Sequence, residues 1–248
     1  MEPRRTGNSV KLALKSVIAF LFQASASLVG AQTIQTLCSF NNTNGAVPQA
    51  GLTLGNDGNF YGTTINGGDT NLNGGSGCGT VFKVTTDGTL TTIYSFTGGS
   101  DGLYPNALTL GNDGNFYGTT STAGGNNCGT VFKVTTNGTL TTLHSFTGGD
   151  GARPYAALTL DNNGVFYGTT GEGGSNGCGT VFKVTTNGGL TSLVSFSSTN
   201  GANPFAGLTL GKDGNFYGTT FNGGPGIGTV FKVTTNGTLT TLYSFTAG

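Results

Sequence analysis

His144 is the one histidine in the chain, so any Ser–His–Asp relay would rest wholly on it. A metal centre built from several imidazoles is excluded by the same count. Equivalent stretches elsewhere in the chain carry Cys38, Tyr94, Val194 and Tyr243 at this place, which marks a packing position with no shared acid–base role. Carboxylates are as thinly spread. Glu172 is the only glutamate beyond residue 2, and hydrolysis by paired acids needs two carboxyls facing one another across a substrate. Asp57, Asp113 and Asp213, with Asn163 standing in once, recur beside glycines, one acid per turn. Calcium takes roughly six to eight oxygens, usually from several carboxylates of one loop, so these residues read as turn formers. Lys83, Lys133, Lys183 and Lys232 are equally regular, each with an apolar stem to bury and a head to leave in water. The glycine-rich loops lack a following helix and a Gly-Lys-Ser/Thr ending, which excludes a phosphate cradle of that type. No catalytic residue, metal or cofactor is expected.

The regularity of these residues points to the elements that hold them. Gly-Thr-Val-Phe-Lys-Val-Thr-Thr begins at Gly79, Gly129, Gly179 and Gly228, and Phe-Tyr-Gly-Thr-Thr begins at Phe60, Phe116, Phe166 and Phe216. Ser-Phe recurs at Phe40, Phe96, Phe146, Phe196 and Phe245. A period of about fifty residues signals units that bury their apolar faces against their neighbours. In the second unit, Ala107–Leu110, Phe116–Thr120, Thr130–Thr135 and Leu140–Phe146 read as strands, because runs of Thr, Val, Phe and Tyr are bounded by Asp-Gly and Asn-Gly turns. Four short antiparallel strands per unit is the content of a β-propeller blade. The fold class is therefore all-β: a propeller-like array with complete repeats at about 51–96, 107–146, 157–196 and 207–245 and an extra strand-four copy at 34–40. Seventeen strands do not divide by four, so in a closed ring the surplus copy would compete with Leu239–Phe245 for one edge.

Residues 1–31 differ from the rest. Arg4, Arg5, Lys11 and Lys15 precede an uncharged, mostly apolar run from Ser16 to Val29 that ends in small residues, the pattern of a secretory signal peptide cleaved after Ala31. The repeat domain then spans 32–248, and the protein is expected outside the cytoplasm, secreted or at the cell surface, with no membrane span after cleavage. Of ten Lys/Arg and ten Asp/Glu, the leader holds four and one, leaving six against nine. A basic nucleic-acid footprint is absent. Cys78, Cys128 and Cys178 share one repeat position, filled by Ile227 in the fourth unit, and read as small buried hydrophobes. A disulfide needs Cα atoms within about 7 Å, whereas equivalent positions lie a blade apart; a bridge to Cys38 is the alternative.

The run Leu-Thr-Leu-Gly-x-Asp-Gly-Asn-Phe-Tyr-Gly-Thr-Thr followed by Cys-Gly-Thr-Val-Phe-Lys-Val-Thr resembles the GloVer tandem repeat of exported bacterial proteins. The likeness covers about residues 34 to 248. It implies an exported, propeller-like repeat protein and implies no reaction and no ligand.

Function enters through the loops. Turns after strands one and three are nearly identical from unit to unit, while those after strands two and four vary and share one face of the array. Asp101, Tyr104, Asp150, Arg153, Tyr155, Glu172, Asn200 and Phe205 sit there and form the candidate binding set. The reading is a non-catalytic exported scaffold for binding, adhesion or surface assembly, with a glycan or another cell-surface protein as partner. Tyr104, Tyr155 and Phe205 would stack on sugar rings. The alternative is an extracellular carbohydrate-active enzyme.

Overall fold

The structure, a computed structural model, describes residues 34–246. The expected leader lies outside the described residues, and the chain from Thr36 onward clusters into one compact unit. Seventeen strands form four antiparallel sheets in chain order. Blade one holds β1 (Thr53–Leu54), β2 (Phe60–Thr64), β3 (Thr80–Val84) and β4 (Leu90–Ser95). Blade two holds β5 (Leu103–Pro105), β6 (Thr109–Leu110), β7 (Phe116–Thr122), β8 (Thr130–Val134) and β9 (Leu140–Ser145). Blade three holds β10 (Thr159–Leu160), β11 (Phe166–Thr170), β12 (Thr180–Val184) and β13 (Leu190–Ser195). Blade four holds β14 (Thr209–Leu210), β15 (Phe216–Thr220), β16 (Thr229–Val233) and β17 (Leu239–Ser244). The propeller-like array expected from the repeat is the architecture observed.

Strand one is shorter than its sequence pattern predicts, because part of its backbone bonds to the preceding blade. The Thr53 hydroxyl donates to the Leu108 carbonyl at 2.7 Å, and the Thr63 hydroxyl donates to the Asn106 carbonyl at 3.0 Å. Thr109 to Leu158, Thr119 to Ala156, Thr159 to Leu208 and Thr169 to Ala206 repeat these bonds at the next two joints. Aromatic rings complete each joint. Tyr61 lies on Phe116 with ring centroids 4.1 Å apart, Tyr117 on Phe166 at 4.2 Å and Tyr167 on Phe216 at 4.0 Å. Phe96 meets Phe132 edge-on at 5.2 Å, as Phe146 meets Phe182 and Phe196 meets Phe231. Joint Phe residues of the interior are fully buried.

Every blade carries a bulge between strands three and four. In blade one Val81 pairs with Tyr94 and Phe82 with Thr92, so Ile93 is skipped. A bulged residue leaves the ladder and re-aims its carbonyl. The Ile93 oxygen would lie 2.0 Å from a Cβ on Gly138, in the turn after β8 of the next blade. Leu143 faces Gly188 and Leu193 faces Gly237 in the same way. That turn is Thr-Thr-Asn-Gly because only a residue without Cβ admits the neighbour's backbone there.

Three further sequence expectations change. The insert of blade one holds a short 3-10 turn, Asn73–Gly75, which is the only helical element among the described residues. Residues 34–40, expected to be a strand, make no ladder, because no strand three lies beside them among the described residues. They nonetheless take the seat of a strand four. Phe40 meets Phe82 edge-on at 5.0 Å, and the Leu37 oxygen approaches Gly88 as Ile93 approaches Gly138. The four cysteines are free, as the unpaired reading expects and against a bridge to Cys38; Cys78 is buried as expected, but Cys128 and Cys178, read as buried, are half-buried, as is Cys38. The Cys128 and Cys178 thiols donate to the Asn126 and Asn176 carbonyls, which draws them toward the loop surface.

The turn acids have the structural role read for them. Asp113 accepts from the Asn115 backbone, the Asn115 side chain and the Tyr117 hydroxyl, and Asp57 and Asp213 repeat the arrangement. In blade three Asp161 takes over, accepting from the backbones of Asn163 and Val165. The bonds from Asn215 and Tyr217 hold the Asp213 carboxyl down at about 2. A carboxyl depressed in the folded state stabilises above its unfolded value, near 4, and loses that contribution as pH falls through the folded value. Thermal melts should therefore show that replacing Asp57, Asp113 and Asp213 together by Asn lowers stability at pH 7, and that the gap to the unaltered protein narrows progressively as pH falls below about 4. A constant gap between the two at all pH values would refute this account.

Candidate functional site

The loops from strand four to the next strand one share a backbone feature. Val47, Tyr104, Arg153 and Asn203 have φ of +58°, +60°, +54° and +57°, and each precedes a proline. A left-handed non-glycine residue costs roughly 1–2 kcal/mol, and a β-branched one such as Val47 is a true outlier. Three of these residues are held from the preceding blade. The amides of Tyr104, Arg153 and Asn203 donate to the carbonyls of Cys78, Cys128 and Cys178. Three of their carbonyls are also fixed, those of Val47, Arg153 and Asn203 accepting from Ile65, Gly171 and Phe221. The backbone is thus constant around the array while the side chain it presents changes from Val to Tyr to Arg to Asn. Strain of this kind persists only where the surroundings over-determine it, and it clusters at binding sites.

Val47, Tyr104 and Arg153 line one cleft of about 720 Å³, together with Gln49, Asn106, Thr122 and Tyr155. A second lobe of about 260 Å³ continues past Gln49, Asn106 and Tyr155 toward Thr63 and Pro105. The Asn106 amide is fixed by donating to the Pro154 carbonyl at 2.8 Å and to the Thr119 hydroxyl at 2.9 Å. Thr122 Oγ1, on the cleft wall, is buried without a hydrogen-bond partner among the described residues. A buried hydroxyl left unpaired is costly, so a ligand atom bonding to it would recover that cost.

Beside the cleft runs an aromatic row. Tyr155 and Phe205 meet edge-on at 5.4 Å, and Phe205 lies 5.6 Å from Phe221. These rings are 40%, 41% and 66% exposed, against none for the joint phenylalanines of the interior. The row exists because Gly171 lies beneath it: a Cβ there would come within 2.8 Å of Phe205 and 2.9 Å of Tyr155.

Of the sequence-predicted set, Tyr104, Arg153 and Tyr155 line the cleft, and Phe205 extends it. Glu172 stands across from Arg153, 3.3 Å from its Nε. Asp101, Asp150 and Asn200 lie apart from the cleft lining and fasten their own loops. Asp101 is 7% exposed and accepts from the Tyr94 hydroxyl, the Thr97 amide and the Thr97 hydroxyl. Asp150 accepts from the Thr147 amide and faces His144 Nε2 at 2.8 Å, and Asn200 accepts from the Ser197 amide. Burial raises the Asp150 carboxyl, but the bonds from Thr147 and His144 outweigh it and leave its pKa below the ordinary value. His144 is a loop tie, equivalent to Tyr94. Sequence reasoning missed Val47, Gln49, Asn106 and Thr122; the recurring residue-Pro pair at each loop was the available signal. Among the described residues no three His, Cys, Asp or Glu side chains gather as metal ligands.

The model of the Gloeobacter/Verrucomicrobia repeat matches residues 70–248. No curated protein matches the sequence. Among solved structures, a periplasmic gluconolactonase of Pseudomonas aeruginosa is 17% identical with a TM-score of 0.51, over 79% of this chain and 57% of its own. A Bacteroides thetaiotaomicron protein of unknown function is 15% identical with a TM-score of 0.51, over 79% of this chain and 43% of its own. The chain therefore spans about half the length of these structures, and the likeness is one of fold.

Proposed function

The chain belongs to the Gloeobacter/Verrucomicrobia repeat family, and we propose that it is a non-catalytic, exported binding scaffold whose ligand is a carbohydrate held across the cleft and aromatic row. The observation that carries this reading is the constant left-handed backbone that aims different side chains, Val47, Tyr104 and Arg153, into one cleft. Rings such as Tyr155 and Phe205 present apolar faces of the size of a sugar ring, and Gln49, Asn106 and Thr122 supply groups for hydroxyls. Small-ligand sites combine apolar lining with a few placed polar groups in this way.

An enzyme acting on the same sugar would need a carboxylate or imidazole facing it. No acid is among the residues lining the cleft, and Glu172, which faces the cleft residue Arg153, is engaged by it. The test is a glycan array followed by calorimetry on the best binder. Tyr155→Ala should weaken binding about tenfold to a hundredfold, since a stacked ring contributes roughly 1–3 kcal/mol, the scale known for bases stacked on aromatic rings. Asp101→Asn should leave the affinity unchanged. Silence across the array at high protein concentration would sink the carbohydrate reading. Turnover of a glycan or lactone that disappears with Glu172→Gln would replace it with an enzymatic one.

A further inference from the structure

The three interior joints show what a blade face binds, and the two outermost faces are the separated halves of a fourth joint. On blade four, Tyr217 and Thr219 occupy the places of Tyr61 and Thr63, whose rings and hydroxyls are spent on the next blade. Both lack such a partner among the described residues, and Phe245, equivalent to the fully buried Phe96, is 47% exposed. On blade one, Leu52, equivalent to Leu108 at 4%, is 55% exposed, and Phe60 is half-buried where Phe116 is fully buried. An apolar groove of about 340 Å³ lies there, walled by Leu52, Phe82 and Val84 on one side and Phe40 on the other.

We propose that the blade-four face of one molecule docks on the blade-one face of a second copy of this chain, head to tail. The joint would repeat the interior ones, with Tyr217 stacked on Phe60 of the second copy and the Thr209 hydroxyl donating to its Leu52 carbonyl. Faces of this kind are heterologous, and they close into a ring where the rotation allows. Two four-bladed arcs joined at both ends make eight blades, within the range of propellers.

One seat in this joint is already taken. Phe40 lies on Phe82 where Phe245 of the second copy would lie. Phe40 brings a single ring contact, whereas a docking blade brings Tyr217, Thr209, Thr219 and Phe245 together. Residues 36–40 therefore act as a plug that the incoming β17 displaces.

Light scattering on the purified full chain across a concentration series tests this. A dimer is expected. Leu52→Arg blocks one face and Phe245→Arg the other, so each variant alone should be monomeric, while an equal mixture should recover a one-to-one pair through its single intact joint. Phe40→Ser should tighten the dimer at least severalfold, opposite in sign to substitution of its repeat equivalent Phe245. Unchanged circular dichroism with a retained cooperative melting transition establishes that the variants fold, the midpoint itself moving with association. A monomer at every concentration would overturn the docking, as would a dimer that survives in either Arg variant alone. Weakening by Phe40→Ser would overturn the plug and make residues 36–40 part of the joint.

Discussion

Phe132→Ala is expected to lower stability by about 3–5 kcal/mol, the cost of emptying a large buried side chain. Phe132 is fully buried and serves two surfaces at once. Its edge contacts Phe96 of blade one, and its ring tip lies where a Cβ on Gly118 would come within 2.6 Å. The strand-two glycine is thus a socket for the strand-three ring of the same blade, and emptying the socket loosens both the sheet and the joint. Asp113→Ala removes hydrogen bonds from an exposed turn and should cost about 1 kcal/mol. Urea midpoints for the two variants should therefore lie far apart. Equal midpoints would refute the assignment of stability to the joints. Position within the array sharpens the test. Phe146→Ala should be nearly as severe as Phe132→Ala, while Phe245→Ala, the same repeat position on a face that no blade of its own chain covers, should be mild when measured at protein concentrations low enough to keep the chain monomeric.

How much of this was legible in sequence depends on distance along the chain. The hairpins were legible because Asn-Gly and Asp-Gly turns and alternating Thr, Val and Phe are local signals, and the repeat then forced equivalent blades. The aromatic positions were legible as core, but their pairing was not, since Tyr117 meets Phe166 rather than any ring of its own blade. Loop variability separated Tyr104, Arg153, Tyr155 and Phe205 from the background. It also swept in Asp101, Asp150 and Asn200, which differ between units yet perform one shared task, accepting the amide that follows the strand-four phenylalanine. Variation in type concealed constancy of role. The left-handed turns at Val47, Tyr104 and Arg153 were not legible from their side chains, none of which favours positive φ, and at Arg153 and Asn203 backbone bonds from two blades hold the conformation.

Gly138→Ala is the second large effect expected, and it separates two reasons for glycine in a turn. Gly138 has φ of +88°, so alanine pays the left-handed penalty of about 1–2 kcal/mol. Gly214, in the turn after β14, has φ of +75° and nothing within 4 Å of an added Cβ, so alanine there pays that penalty alone. At Gly138 the added carbon would also lie 2.0 Å from the Ile93 carbonyl oxygen, a backbone atom of the preceding blade. Neither partner can yield by a rotamer change, and the blades must part, at an overpacking cost of about 1–3 kcal/mol more. Thermal melts of the two variants should therefore differ, with Gly138→Ala the less stable. Since the oxygen belongs to the bulged residue Ile93, the conflict exists only if the bulge aims that carbonyl across the joint. Equal destabilisation at Gly138 and Gly214 would mean that turn conformation alone accounts for the recurring glycine, and that the bulge-to-turn contact contributes nothing to holding one blade against the next.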